Sequence, residues 1–276
     1  MTDKQKQATA QTDLDLLVEA SIAAGREALK FFRNDVKIWW KNEGSSPVTA
    51  ADHAANDILH AMLRGARPGY GWLSEETDDD PARLAAENVF IVDPIDGTVA
   101  FLKSKPHFTI CAAVVRDGRP IAGVVYNPIL EECFTAREGA GAFRNGSAIH
   151  VGQRAEIEGC RMLGDKQMLA HAAWNTPPNR PWPPMAIETR SSIAYRAALV
   201  ADNSFDAMLA LSAKRDWDLA AADIILTEAD GIMTAHDGAV FRYNRSGAIQ
   251  PSVVAANPIL HAKLLERVSH IKLPRQ

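Results

Sequence analysis

Two aspartates, Asp93 and Asp96, follow the apolar run Val89-Phe90-Ile91-Val92 and lead into Gly97 and Thr98. Carboxylates three positions apart at one turn repel each other unless a cation joins them. Hard divalent ions such as Mg²⁺ favour carboxylate and carbonyl oxygens. The same pattern fits a plainer reading, a strand end followed by an Asx-type turn that caps the next helix. Two other acidic stretches bear on the choice. Glu75 and Glu76 lie upstream in Trp72-Leu73-Ser74-Glu75-Glu76-Thr77, and Asp216-Trp217-Asp218-Leu219-Ala220-Ala221 lies downstream.

Each acid must be placed by an element. The run ahead of Asp93 reads as a buried strand. Pro94 has no backbone N–H to give to a central ladder, so the strand is expected to end at Asp93. Gly71 to Ser74 reads as a strand leading into Glu75. Residues 77–87 read as an acidic surface loop or short helix. After Asp96 a short helix over 98–103 is expected, then strands at Phe108–Val115, Ile121–Tyr126 and Glu131–Ala136. Asp117-Gly118 and Asn127-Pro128 mark the turns of this antiparallel meander. Upstream, Leu14, Leu17, Val18, Ile22 and Leu29 share one helical face reaching Phe31 or Phe32, behind a tail at residues 1–11 expected to be disordered. Val36 to Trp40 suggests a short strand and Lys41 to Pro47 a loop. A second helix opens at Thr49 with the capping-box-like Thr49-x-x-Asp52. Beyond Val151 come a helix over Ser191–Val200, a strand over Phe205–Leu211 and a helix over Trp217–Glu228 that ends at Gly231. Trp174 to Pro184, with five prolines and two tryptophans, reads as a stiff extended loop: a lid, a subunit contact or plain surface.

The chain has 276 residues, 47% of them hydrophobic, enough for a full core. Its net charge of −4 argues against coating a nucleic acid polymer. No run is long enough to span a membrane, and residues 1–11 lack the apolar centre of a signal peptide. Cys111, Cys133 and Cys160 are widely spaced and form neither a zinc pattern nor a disulfide framework. The expected location is cytoplasmic.

Taken together, the stretches at Glu75-Glu76, Asp93-Pro94-Ile95-Asp96-Gly97-Thr98 and Trp217-Asp218 resemble the inositol monophosphatase family in order and spacing, over roughly residues 15 to 260. These are Mg²⁺-dependent, lithium-sensitive phosphatases, with a 3′(2′),5′-bisphosphate nucleotidase branch. The resemblance implies an α+β fold, a layered α/β/α/β/α sandwich. Its N-terminal α+β half at 12–150 would carry the main metal motifs and its C-terminal α/β half at 151–276 the Trp-Asp motif, in one compact unit. It implies hydrolysis of a small phosphate monoester with two or three Mg²⁺ ions, which activate a water and stabilise the leaving oxygen. Glu75, Asp93, the carbonyl of Ile95, Asp96 and Asp218 would be metal ligands. Glu75 and Thr98 would orient the attacking water beside Asp93, and the amides of Gly97 and Thr98 would cradle the phosphate.

Some roles stay divided. Asp218 could merely cap its helix, and Asp52 could serve the metals or only the capping box. Glu76 reads as support for its neighbour, Lys41 as a site lysine or a loop lysine, and His107 as structural. Inositol-selective members carry a glutamate on the strand before the Trp-Asp motif. Here Met208-Leu209-Ala210-Leu211 has no acid, and Lys214 and Arg215 follow; a Gly-Ser-like element reads Ser191-Ser192, with Arg196 after it. With Asp218, these cations are candidate substrate contacts. The substrate is expected to be inositol monophosphate or a similar monoester, with a nucleoside or sugar bisphosphate as the alternative. A non-catalytic phospholigand-binding protein is the reading from another class. Relatives of this kind are often dimers, which makes a homodimer a candidate assembly.

Overall fold

The computed structural model describes residues 3–34, 38–41 and 46–273. Helix α1 (Asp3–Leu29) begins ten residues before the expected start at Asp13, so the tail reading is corrected from Asp3 onward. Lys4-Gln5-Lys6-Gln7 are good helix formers with no breaker among them, and Ala10 already buries its methyl. Strands β1 (Ile38–Lys41) and β2 (Ser46–Thr49) pair as a hairpin where a strand and loop were expected. The remainder of that loop, residues 42–45, and the side chain of Lys41 lie outside the described residues. Helix α2 (Ala50–Ala66) starts at the expected cap: Thr49 Oγ1 accepts from Ala51 N, and Asp52 Oδ2 accepts from Thr49 N at 2.8 Å.

Strands β3 (Gly71–Ser74), β4 (Asn88–Asp96), β5 (Thr109–Arg116), β6 (Arg119–Asn127), β7 (Glu132–Arg137), β8 (Ala142–Arg144) and β9 (Ser147–Ile149) form a seven-stranded sheet in chain order. Only β3 and β4 are parallel; the others form a meander. At the Asp117-Gly118 turn both residues have positive φ, 51° and 74°, which matches the twist of the flanking strands. Side chains alternate along each strand. Phe90, Val92, Ile110, Ala112, Val114 and Val124 meet α1 and α2, through Leu17, Ala20, Ala24, Leu59 and Leu63. Val89, Ile91, Cys111, Ala113, Val115 and Val125 face the other way.

That second face carries α5 (Ile193–Ala201) and α6 (Asp216–Glu228). Beyond them lies a five-stranded sheet of β10 (Arg161–Leu163), β11 (Ala186–Glu188), β12 (Ala207–Ala210), β14 (Ile232–Thr234) and β16 (Val253–Ala256), in the order β11-β10-β12-β16-β14. Its strands alternate too: Met208, Ala210, Val253 and Ala255 face α5 and α6, while Leu209, Val254 and Ala256 face α7 (Pro258–Val268). The layers are therefore α/β/α/β/α, the α+β sandwich expected. The loop from Trp174 to Pro184 packs on the outer layer. Trp174 is buried edge-on to Trp182, and the Arg267 guanidinium of α7 lies 4.4 Å from the Trp182 ring centre. Trp174 is thus buried and Trp182 half-buried against this layer. The three cysteines are free thiols, two of them buried.

Candidate metal and phosphate site

Strand β4 does not stop at Asp93. Asp93 pairs with Cys111 and Asp96 with Thr109, three steps on one strand against two on the other, so Pro94 and Ile95 form a bulge. A bulge tolerates a residue without N–H and bends the strand. Asp93 Oδ1 accepts from Ile95 N at 3.0 Å, which turns the peptide so that the Ile95 carbonyl accepts from Thr98 Oγ1 at 3.1 Å. Beside β4 the parallel register sets Ser74 against Val92, bringing Glu75 level with Asp93.

Gly97 has φ +97° and opens the short helix α3 (Thr98–Leu102). A Cβ there would strain the backbone and sit 3.0 Å from Ser192 N and 3.1 Å from His107 O. The close approach joins the two sheets' segments. Asp96 reaches the start of α5, where its Oδ2 accepts from Ser192 Oγ at 2.6 Å and Ala194 N at 2.7 Å and its Oδ1 accepts from Ile193 N at 3.2 Å. From α6, Asp218 turns back and accepts from Arg215 N at 2.8 Å through Oδ2.

The consequence is that Asp93, Asp96 and Asp218 present carboxylate oxygens within 4.8 Å of one another. Asp93 is held well above the usual carboxylate range by burial, then by the charges of Glu75, Asp96, Asp218 and Asp52. Burial also raises Asp96, against the bonds from Ser192, Ala194 and Ile193. Burial and then Asp96 push Asp218 up to about 7. Such a cluster, all oxygen and short of positive charge, suits a hard divalent cation.

Asp52 makes the capping box and also reaches the turn after Asp96. Its Oδ2 completes the capping box, while its Oδ1 accepts from Thr98 Oγ1 at 3.1 Å. Burial pushes it up to about 6, opposed by the Thr49 bonds. Asp218 is likewise both cap and cluster member. Glu76 adds its negative charge to the surroundings of Asp52. His107 stacks loosely on Tyr195 at 6.5 Å, a structural contact.

A cavity of about 540 Å³ opens beside Asp218. Lys214, Arg196, Asp165, Thr189 and Ser212 line it. Lys214 Nζ donates to Ser212 Oγ at 2.8 Å and Ala213 O at 3.0 Å; burial lowers its pKa. The Arg196 Nε donates to Arg190 O at 2.6 Å. Arg215 instead donates to Gly247 O and lies over Trp217, away from the cavity wall. Sequence reasoning passed over Asp165, and it quoted Ser192 and Asp216 within motifs without giving either a role. Ser192 and Asp165 both cap helices, at α5 and at α4 (Lys166–Ala170), a signal that was readable. Their nearness to Asp96 and to Arg196, respectively, depends on long-range packing and had no local sign.

The description "Inositol monophosphatase family" fits a match to residues 9–273 of this chain. Inositol-1-monophosphatase of Mesorhizobium japonicum is 33% identical over 275 residues, covering 92% of this chain and 95% of its own. The 3′(2′),5′-bisphosphate nucleotidase CysQ of Aggregatibacter actinomycetemcomitans is 26% identical, covering 86% and 90%. Among solved structures, extragenic suppressor protein suhB of Bartonella henselae superposes with a TM-score of 0.78 at 28% identity, covering 93% of this chain and 98% of its own.

Proposed function

The chain belongs to the inositol monophosphatase family of phosphatases, hydrolases of phosphate monoesters, and on that footing we propose that it is a Mg²⁺-dependent phosphomonoesterase of small phosphorylated metabolites in the cytoplasm. The observation that carries this reading is the meeting of Asp93, Asp96 and Asp218 from distant parts of the chain. With Glu75 and the Ile95 carbonyl, these residues would hold two or three Mg²⁺ ions. Bound there, the ions supply positive charge that acidifies a water and offsets charge on the phosphoryl and leaving oxygens.

The chain's own groups account for the rest. Thr98 has one hydroxyl proton and two acceptors for it, Asp52 Oδ1 and Ile95 O. Its lone pairs therefore stay available to accept from a water. In this reading Thr98 and Glu75 orient that water in line with the phosphorus, beside Asp93. The amides of Gly97 and Thr98 hold the phosphate. Asp218 and Lys214 face the leaving group, while Arg215 points to Gly247 O and the Trp217 ring instead.

Inositol 1-phosphate is the first substrate proposed, after the activity in the relatives' names. A nucleoside 3′(2′),5′-bisphosphate is the second. It is favoured by the two cations, Lys214 and Arg196, in the cavity beside Asp218, where a second phosphate could be neutralised. The test is phosphate release with Mg²⁺ from inositol 1-phosphate, adenosine 3′,5′-bisphosphate and fructose 1,6-bisphosphate. One of them is expected to be turned over far faster than the others; feeble and equal rates on all three would count against both substrates. Li⁺ and Ca²⁺ are expected to inhibit, Ca²⁺ because it prefers a larger and looser shell than Mg²⁺. Turnover indifferent to LiCl would argue against the metal scheme.

A further inference from the structure

Eight residues after Glu75, the side chain of Arg83 is buried, with 2% of the residue exposed. A guanidinium cannot shed its charge, so each donor it takes out of water needs an acceptor. Two are met locally: Nε and Nη2 donate to Asp79 Oδ1 and Oδ2 at 2.5 and 2.8 Å. The others cross to a segment more than 160 positions away. Nη1 donates to Asn244 Oδ1 at 2.6 Å and Nη2 to Arg245 O at 3.3 Å, while Asn244 Nδ2 returns a bond to Arg83 O at 3.3 Å.

The crossing continues to the third acidic motif. Asn244 N donates to Asp216 Oδ2 at 2.9 Å, and Gln250 Nε2 donates to Asp216 Oδ1 at 2.8 Å. Asp216 N donates to Ala248 O at 3.0 Å, and β13 (Lys214–Arg215) pairs with β15 (Ile249–Gln250). Asp216 and Gln250 are both buried. The two ends of this chain of bonds lie on segments that carry candidate ligands, and none of its residues belongs to the acidic cluster: Arg83 follows Glu75 by eight positions, and Asp216 precedes Asp218 by two.

We propose that Arg83, with Asn244 and Asp216, is a positioning strut that sets the Glu75-bearing segment and the start of α6 at the separation the metal ions require. The inference rests on the metal-dependent reading above. Glu75 and Asp218 come from different sheets' connections and share no covalent path shorter than 143 positions, as their numbers show. Ligands must be held to within about 0.5 Å for a metal site to form without rearrangement. The tie through Asp96 and α5 fixes β4, not the loop after Glu75. Arginine suits the strut because its planar fork serves Asp79 and Asn244 together, which an ammonium cannot.

The experiment compares unaltered protein with Arg83→Met, Arg83→Lys and Asn244→Ser. Mg²⁺ affinity is measured by calorimetry and by the Mg²⁺-induced rise in melting temperature, alongside turnover at rising Mg²⁺. Arg83→Met and Arg83→Lys are expected to weaken Mg²⁺ binding by about 10-fold to 100-fold, as loss of a ligand-orienting contact does, with kcat at saturating Mg²⁺ falling less. Asn244→Ser keeps the Arg83–Asp79 pair and the bond to Arg245 O but removes the two crossing bonds of the Asn244 side chain, so it is expected to shift Mg²⁺ affinity in the same direction by a smaller factor. It also serves if the Arg83 variants do not fold. A lower melting temperature with unchanged Mg²⁺ affinity in all folded variants would overturn the strut and leave Arg83 a stability residue. Absence of any Mg²⁺ response in the unaltered protein would overturn the metal reading itself, and the strut with it.

Discussion

At the scale of single residues, the site economises by giving one carboxylate two jobs. Asp52 caps α2 and receives Thr98; Asp218 caps α6 and completes the acidic cluster. Asp93 has only its own turn to support, through Ile95 N, and is the most crowded by like charge. Asp93→Asn removes that charge while keeping the shape and an acceptor for Ile95 N. It is expected to fold with a melting temperature at or above that of the unaltered protein without Mg²⁺. Mg²⁺-dependent phosphate release should fall by on the order of 10³-fold or more. Activity close to normal in this variant would mean that Asp93 is not a ligand of the ions. Thr98→Val tests a narrower point. It leaves Asp52 and Ile95 O without their donor and removes the water contact, so kcat should fall by roughly 10²-fold while Mg²⁺ affinity changes much less.

Among elements, α6 lies tightly against β6. Gly123 has no side chain, and a Cβ there would lie 2.7 Å from Ile224 Cγ2 and 2.8 Å from Ala221 O. The obstacle is helix backbone, which cannot swing aside. Gly123→Ala is expected to push α6 off the sheet and destabilise the fold by about 1–3 kcal/mol, read by urea unfolding. Because α6 carries Asp218, Mg²⁺ affinity should fall in the same variant. An alanine accepted without loss of either would show that α6 is not fixed by this contact. The elements also mark how far the sequence could be read. The meander from β5 to β7 was legible because alternation and the Asp117-Gly118 turn agree locally. The acidic motifs were legible because their order matches a family. The bulge at Pro94 was not, since a proline near a strand end looks the same whether pairing stops or skips a residue. Short strands such as β10, β13 and β15 were also missed, because two or three residues carry no periodicity. The capping of Asp96 by Ser192, 96 positions on, had no local signature at all.

Several of the molecule's acids are held in low-dielectric surroundings, and that has a consequence for pH. Asp218 is raised to about 7, and Asp52 and Asp223 to about 6, in each case chiefly by burial. In the unfolded chain all three titrate near 3.9. The folded state therefore holds these protons more tightly than the unfolded one. The stability this contributes is fully present below about pH 4 and is lost as pH rises through about 6 to 7. Protein stripped with EDTA should thus melt at a lower temperature at pH 8 than at pH 5. Added Mg²⁺ reverses the loss only where the ionised carboxylates can hold it. Asp218, with Asp93 and Asp96, can; Asp223 lies apart, bonded to Tyr243 at 2.9 Å, and cannot. The rise in melting temperature on adding Mg²⁺ should therefore be small at pH 5, where protons compete for the same oxygens, and large at pH 8. Differential scanning calorimetry at a series of pH values, with EDTA or with Mg²⁺, measures both curves. A Mg²⁺-induced rise that is the same at pH 5 and pH 8 would mean that the ion and the protons do not share these three carboxylates.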